Sequence, residues 1–326
     1  MNDLKLAENI LGDVEKIPTR FGYGDALLEL GRINPDVVVL GADLSSSLRV
    51  DQFAREFPQR FVQIGIAEQD MMGVAAGLSL TGKIPYVSTY GVFCTGRAWD
   101  QLRTTVAYAR LNVKIGSGHG GISVGADGAT HQALEDIAIT RTIPNLTIIV
   151  PCDYHETKKA TLAASQIKGP VIIRFGREKV PVITTQDTPF EVGKASIYRQ
   201  GVDVTIAACG VMVYESLIAA EKLALEGISA KVINCHTVKP LDMETLVEAA
   251  RETGAMVTAE EHQVMGGFGS AVAEVLSQAL PVPLKMVGIQ DTFGQSGDPD
   301  ELMETYGLTS NAIVKAAREV IKLKKR

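Results

Sequence analysis

The sequence predicts an α/β protein of two doubly wound domains. Three observations point there. Short, wholly apolar runs alternate with longer helical patterns, as expected of parallel strands covered on both faces by crossover helices. The alternation pauses at a polar, proline-bearing stretch around residues 178–200 and then resumes. A length of 326 residues fits two domains of ordinary size.

In the first domain, taken as 1–185, the runs Val37–Leu40, Phe61–Ile64, Tyr86–Ser88, Val113–Ile115, Leu146–Val150 and Val171–Arg174 read as buried strands. Gly24–Arg32, Glu68–Leu80, Arg97–Ala109, His131–Arg141 and Tyr154–Ser165 read as helices between them, with right-handed crossovers. Two prolines and several polar residues between Glu178 and Pro189 read as an interdomain linker. In the second domain, 195–326, strands Val204–Ala208, Ala230–Ile233, Ala255–Ala259 and Leu284–Val287 alternate with helices Tyr214–Glu226, Met243–Glu252 and Gly269–Leu280. Two further helices follow near 300–307 and 310–323.

Composition narrows the function. With 46% hydrophobic and 21% charged residues the chain is globular rather than disordered. A formal charge of −6 argues against a nucleic-acid partner, and the basic end Lys322–Arg326 reads as a solvated helix terminus. Four scattered cysteines without zinc spacing fit a reduced, cytoplasmic protein. Acids in the first residues argue against a signal peptide, and no apolar run approaches the ~20 residues that span a bilayer, so no membrane partner is expected.

Ligands of open parallel sheets gather at the carboxyl ends of strands, and polar residues cluster there. Glu68 opens an apolar helix, either as a simple dipole partner or as a carboxyl whose burial favours proton exchange with a ring nitrogen. The glycine-rich loop from Gly116 to His131 carries His119, Asp127 and His131, a set suited to a polyhydroxylated substrate or to proton shuttling, and less suited to a metal. Asp43 precedes a serine run and reads equally as an N-cap. Arg20, Ser47 and Arg174 are candidates for binding a phosphate, while core packing is the default for Tyr90 and Phe93. Gly266-Gly267-Phe268-Gly269-Ser270 reads as a helix-start turn rather than a dinucleotide loop.

Several segments in order resemble the transketolase family of thiamine diphosphate enzymes: Gly65-Ile66-Ala67-Glu68-Gln69-Asp70-Met71, Val124 to Gln132, Ile143-Pro144-Asn145-Leu146, and Glu260 to Gly269. The resemblance covers the pyrimidine-binding and C-terminal domains. It implies that Glu68 hydrogen-bonds N1′ of the cofactor's aminopyrimidine, that Tyr90 and Phe93 pack that ring, and that Asp43 and Ile66 lie close to it. A third family aromatic falls at Gly96, so the pocket departs from the pattern there. His131 matches a histidine near the reacting carbon, Asp127 a reader of a sugar hydroxyl, and Arg20, Ser47, His119 and Arg174 a sugar-phosphate site. The implied reaction moves a two-carbon ketol unit from a ketose phosphate to an aldose phosphate.

The family's Mg²⁺ motif, Gly-Asp-Gly with a later Asn, is not matched by Gly24-Asp25-Ala26. The resemblance therefore implies a split enzyme, with Mg²⁺ and the diphosphate held by a separate N-terminal subunit and this chain pairing with itself in an α2β2 assembly. A 2-oxo-acid dehydrogenase E1 β subunit, a deoxyxylulose-phosphate synthase-like enzyme and a non-catalytic assembly subunit are the competing expectations. The His-Ser-Gln run usual in E1 β subunits, where this chain has Thr130-His131-Gln132, counts against the first, and retention of Glu68, Asp127 and His131 counts against the last.

Overall fold

A computed structural model describes residues 4–324. The first half of the chain runs β1 (Lys16–Pro18), α1 (Thr19–Ile33), β2 (Val37–Gly41), α2 (Asp51–Glu56), β3 (Phe61–Gln63), α3 (Glu68–Leu80), β4 (Ile84–Tyr90), β5 (Lys114–Gly118), α4 (Asp136–Arg141), β6 (Thr147–Ile149), α5 (Tyr154–Ala164), β7 (Val171–Arg174) and β8 (Lys179–Pro181). The second half runs β9 (Ser196–Arg199), β10 (Val204–Ala208), α6 (Met212–Ala224), β11 (Ala230–Asn234), β12 (Thr237–Lys239), α7 (Met243–Thr253), β13 (Met256–Gln263), α8 (Phe268–Ala279), β14 (Leu284–Ile289), α9 (Pro299–Thr305) and α10 (Ser310–Lys322).

Two sheets dominate. One has the order β12-β6-β7-β5-β4-β2-β3, parallel except for β12, and the other the order β14-β13-β10-β11-β9, parallel except for β9. The central strands β2, β5, β7, β10, β11 and β13 are buried at every position. That is why most of their residues are apolar or small without alternation, with buried Lys114, Arg174, Lys231, Asn234 and Glu260 to Gln263 as the charged or large polar exceptions.

The structure departs from the sequence expectation at five places. The expected helix Arg97–Ala109 is instead two π-helical turns, Val92–Arg97 and Gln101–Ala107, marked by five-residue backbone bonds from Ala98 to Phe93 and from Tyr108 to Arg103. His131–Arg141 is helical only over Asp136–Arg141. The three-residue β12, directly before Pro240, leaves the second half to pair antiparallel with β6 of the first sheet. The polar stretch after Arg177 is fastened rather than slack: β8 pairs with β1, and the Asp153 carboxylate accepts the Ile183 and Thr184 amides. At the chain's end, Lys324 donates to the Asp203 carbonyl instead of standing free, while Lys325 and Arg326 lie outside the described residues.

The halves share a core. One apolar cluster joins Leu40, Met71, Met72, Val87 and Ile115 to Ala207, Cys209, Ile233, Val238 and Phe268. Beside it lies a buried polar knot, where the Glu156 carboxylate accepts the Cys152 amide and Asn234 Nδ2, and Asn234 also donates to Tyr198. Burial, reinforced by Asp153, raises the Glu156 pKa to about 7. Because the folded protein holds this proton more tightly than the unfolded chain does, the contribution is complete at acid pH and fades as pH rises from about 4.5 through 7. Glu156→Gln should flatten that slope, removing up to about 3 kcal/mol of pH dependence. Melting temperatures between pH 5 and 8 measure it, and parallel curves for the two proteins would contradict the assignment.

Candidate functional site

Neighbouring strand ends carry the candidate residues. In the order β3-β2-β4-β5, Ile66 and Glu68 follow β3, Asp43 follows β2, Tyr90 ends β4 and His119 follows β5. The Tyr90 ring stacks on His119 with centroids 3.9 Å apart and on Phe93 at 6.0 Å. The His131 ring meets the edges of Tyr90 at 6.1 Å and of Phe93 at 5.4 Å. These four rings form one wall.

Glu68 joins the wall through a residue that sequence reasoning missed. The Glu68 side chain is 1% exposed, and Arg97 Nη1 lies 2.5 Å from its Oε2. The Arg97 guanidinium also lies 4.7 Å from the Phe93 centroid. The π-helical turn sets Phe93 and Arg97 side by side, a geometry associated with functional sites.

A second group is cationic. Arg20 donates from Nη1 to the Ser47 carbonyl at 2.9 Å, so Ser47 contributes its backbone oxygen. Burial, then the charge of Arg177, lowers the Arg20 pKa. Burial also lowers the His119 pKa to about 3, with the charges of Arg20, Arg177 and His131 adding to the effect. His119 is therefore neutral near pH 7 and acts as a hydrogen-bonding group, not as a cation. His119 Nδ1 and Arg20 Nε are buried with no hydrogen-bond partner among the described residues. Buried polar atoms left in this way are costly unless a ligand or solvent satisfies them.

Arg174 is corrected. It is not free to hold a phosphate. Its Nε donates to Asp136 Oδ2 at 2.7 Å, and its Nη2 donates to the Ala133 and Glu261 carbonyls at 3.0 Å each. Burial opposes its charge, and Asp136 and Glu261 more than offset that. Arg174 lies inside β7, whereas Arg177, past the strand end and Gly176, reaches the cationic group. Arg177 pairs with Asp127 at 3.2 Å and donates to the Val124 carbonyl at 3.1 Å. The available signal was position: the fourth residue of a fully buried strand points into protein, and the residue three later lies in the loop.

Asp43 is not an N-cap. It has φ 62°, its amide donates to Gln63 Oε1 at 3.1 Å, and the next helix begins at Asp51. Ile66 is 73% exposed. Both share the sheet edge with the ring wall. His131 Nδ1 lies 2.8 Å from the Thr130 hydroxyl. Gly267 precedes α8, where a Cβ would lie 2.2 Å from Glu260 Oε2, the carboxylate that accepts the Phe268 and Gly269 amides. That run is a helix start, as expected. Among the described residues no group of three or more His, Cys, Asp or Glu is placed to hold a metal ion.

A buried carboxyl, a wall of stacked rings and an adjoining cationic patch thus meet at the carboxyl edge of a parallel sheet. Comparison with known proteins gives the family. Residues 15–182 match the transketolase pyrimidine-binding domain and residues 193–313 the transketolase C-terminal domain. A transketolase C-terminal section of Methanocaldococcus jannaschii is 46% identical over 93% of this chain and 96% of its own length. The 6-deoxy-6-sulfo-D-fructose transketolase subunit of Clostridium sp. strain MSTE9 is 44% identical over 99% and 98%. A solved split-gene transketolase, described as an inactive beta4 tetramer, superposes with a TM-score of 0.89 at 50% identity, covering 95% of this chain and 100% of that one. The chain belongs to the transketolase family.

The correction at Arg174 carries a prediction. Asp136→Ala leaves a buried guanidinium unpaired and should cost about 3–5 kcal/mol, whereas the double variant Asp136→Leu, Arg174→Met should recover much of that loss. Urea denaturation of the three proteins tests it. A double variant no more stable than Asp136→Ala would contradict the pairing.

Proposed function

We propose that this chain supplies the pyrimidine-binding half of a thiamine diphosphate-dependent transketolase site, completed by a separate subunit that holds the diphosphate and Mg²⁺. The observation that carries the reading is Glu68, buried beside the ring wall of Tyr90, Phe93, His119 and His131. The residues fit the ring half of the cofactor: a carboxyl for a ring nitrogen and aromatic faces for the ring. The bound cofactor supplies a nucleophilic carbon and an electron sink for moving a two-carbon ketol unit between sugar phosphates.

In this reading Glu68 exchanges a proton with the ring nitrogen N1′, and Tyr90 and Phe93 orient the ring. Asp43 and Ile66, on the open edge, face the cofactor once the partner closes over them. His131 moves a proton at the substrate, and Asp127 accepts from a sugar hydroxyl. Arg20, held by the Ser47 carbonyl, and neutral His119 donate to the anionic end of the substrate, with Arg177 in the role expected of Arg174. The unpartnered His119 Nδ1 and Arg20 Nε support an anion or hydroxyl there. The Clostridium relative is named for a sulfonated sugar, which fits a family whose anionic group varies.

Two observations support assembly. The chain's own Gly24-Asp25-Ala26 lies in α1 and offers no metal motif. On α3, Gly73 and Gly77 are exposed, with no atom within 4 Å of an added Cβ, while Met71, Met72, Ala75 and Ala76 face inward. This smooth outer face, with exposed Ile66 and Leu80 at its ends, suits a second copy of the chain in an α2β2 enzyme of the cytoplasm.

Purified alone, the chain should transfer no ketol unit, and activity should appear when the N-terminal subunit, thiamine diphosphate and Mg²⁺ are added. A fully active isolated chain would overturn the split reading. In the assembled enzyme, Arg177→Ala should raise KM for phosphorylated sugars about tenfold more than for unphosphorylated ones, since a charged hydrogen bond is worth about 1.5–3 kcal/mol. Equal effects on both sugars would remove Arg177 from the anion site.

A further inference from the structure

Arg97 covers the two groups that a bound heterocycle needs. Its Nη1 holds Glu68 Oε2 at 2.5 Å, and its guanidinium lies 4.7 Å from the Phe93 ring centroid. A flat ring stacked on Phe93 and bonded to Glu68 draws on the same carboxyl and the same aromatic side chain. The two arrangements therefore compete.

The partners differ in freedom. Glu68 is fixed: it is 1% exposed and opens α3, whose following Met71 and Met72 are wholly buried. Arg97 is movable: its side chain is 45% exposed, and it ends a π-helical turn. Beside it, Gly96 is exposed and has no atom within 4 Å of an added Cβ, so a guanidinium can swing there. Without Arg97 the buried carboxylate would lack its counter-charge, which is the expensive arrangement.

We propose that Arg97 is a latch on Glu68, pairing with the buried carboxyl until a heterocycle takes it and then swinging outward over Gly96. The proposal rests on the reading of Glu68 and Phe93 as the heterocycle site. It makes Arg97 a positioning residue that competes with the ring, which sets the sign of its effect. Removing a residue that holds the ligand weakens binding, whereas removing a latch tightens it.

The test is calorimetric titration of thiamine diphosphate, with Mg²⁺ present, into the assembled complex of this chain and its N-terminal subunit. Arg97→Gln should lower the apparent Kd about fivefold, the scale of a half-exposed ion pair. Arg97→Lys keeps a charge for Glu68 but has no flat face for Phe93, and should lower it about twofold. If the Gln variant fails to assemble, the Lys variant carries the test with the same sign. An unchanged or weaker Kd in a variant that assembles with wild-type melting temperature overturns the latch. Failure of the wild-type complex to bind the cofactor at all overturns the heterocycle reading beneath it.

Discussion

The buried guanidinium of Arg174 holds the rest of the site in place. It reaches from β7 to Asp136 at the start of α4, to the Ala133 carbonyl in the site loop, and to the Glu261 carbonyl in β13 of the second half. Two segments distant in sequence, residues 133–136 and β13, thus converge on one planar cation, which suits a fork of fixed donors better than it would suit a lysine. Around it, His262 Nε2 accepts the Ile137 and Ala138 amides while its Nδ1 donates to the Gln263 carbonyl at 2.6 Å. Burial lowers the His262 pKa to about 4, so the ring stays neutral and adds no second cation to the seam.

That seam shapes the loop bearing Asp127 and His131. The Glu261 carboxylate accepts the Ser123 amide, and Gln132 Nε2 donates to Ile122 and, across the seam, to the Gln295 carbonyl. Gly121 has φ 96° and lies so close to Glu261 that a Cβ would fall 2.2 Å from its Cδ. Glycine is needed here both for the left-handed backbone and for the room. The second half of the chain therefore acts on the site indirectly, by helping to hold the glycine-rich loop.

The site has two regions of opposite character. Glu68 is a buried acid under a ring wall, while Arg20 and Arg177 form a cationic mouth beside a histidine kept neutral by burial. Keeping His119 neutral limits the positive charge gathered in one place and leaves a ring nitrogen for a hydroxyl or an anion. The two regions are thus electrostatically distinct along one sheet edge.

The sequence by itself determined the two α/β halves, most strand positions and the family, because buried parallel strands leave unbroken apolar runs and because Glu68, Asp127 and His131 stand within recognisable local motifs. Helix α3 was legible to the residue, Glu68–Leu80. Only the tertiary structure decided the roles of the arginines. Arg174 and Arg177 are three residues apart and chemically identical, yet one is enclosed by Asp136 and two carbonyls while the other faces the mouth. The same holds for Arg97, whose meaning comes from a π-helical turn that brings it onto Phe93 and Glu68. β12 crossed to the other sheet because pairing with β6 is a long-range choice that three residues cannot announce. Local pattern records which residues are buried in a strand or helix; which charge a buried arginine meets depends on chain segments far away, and only folding brings them together.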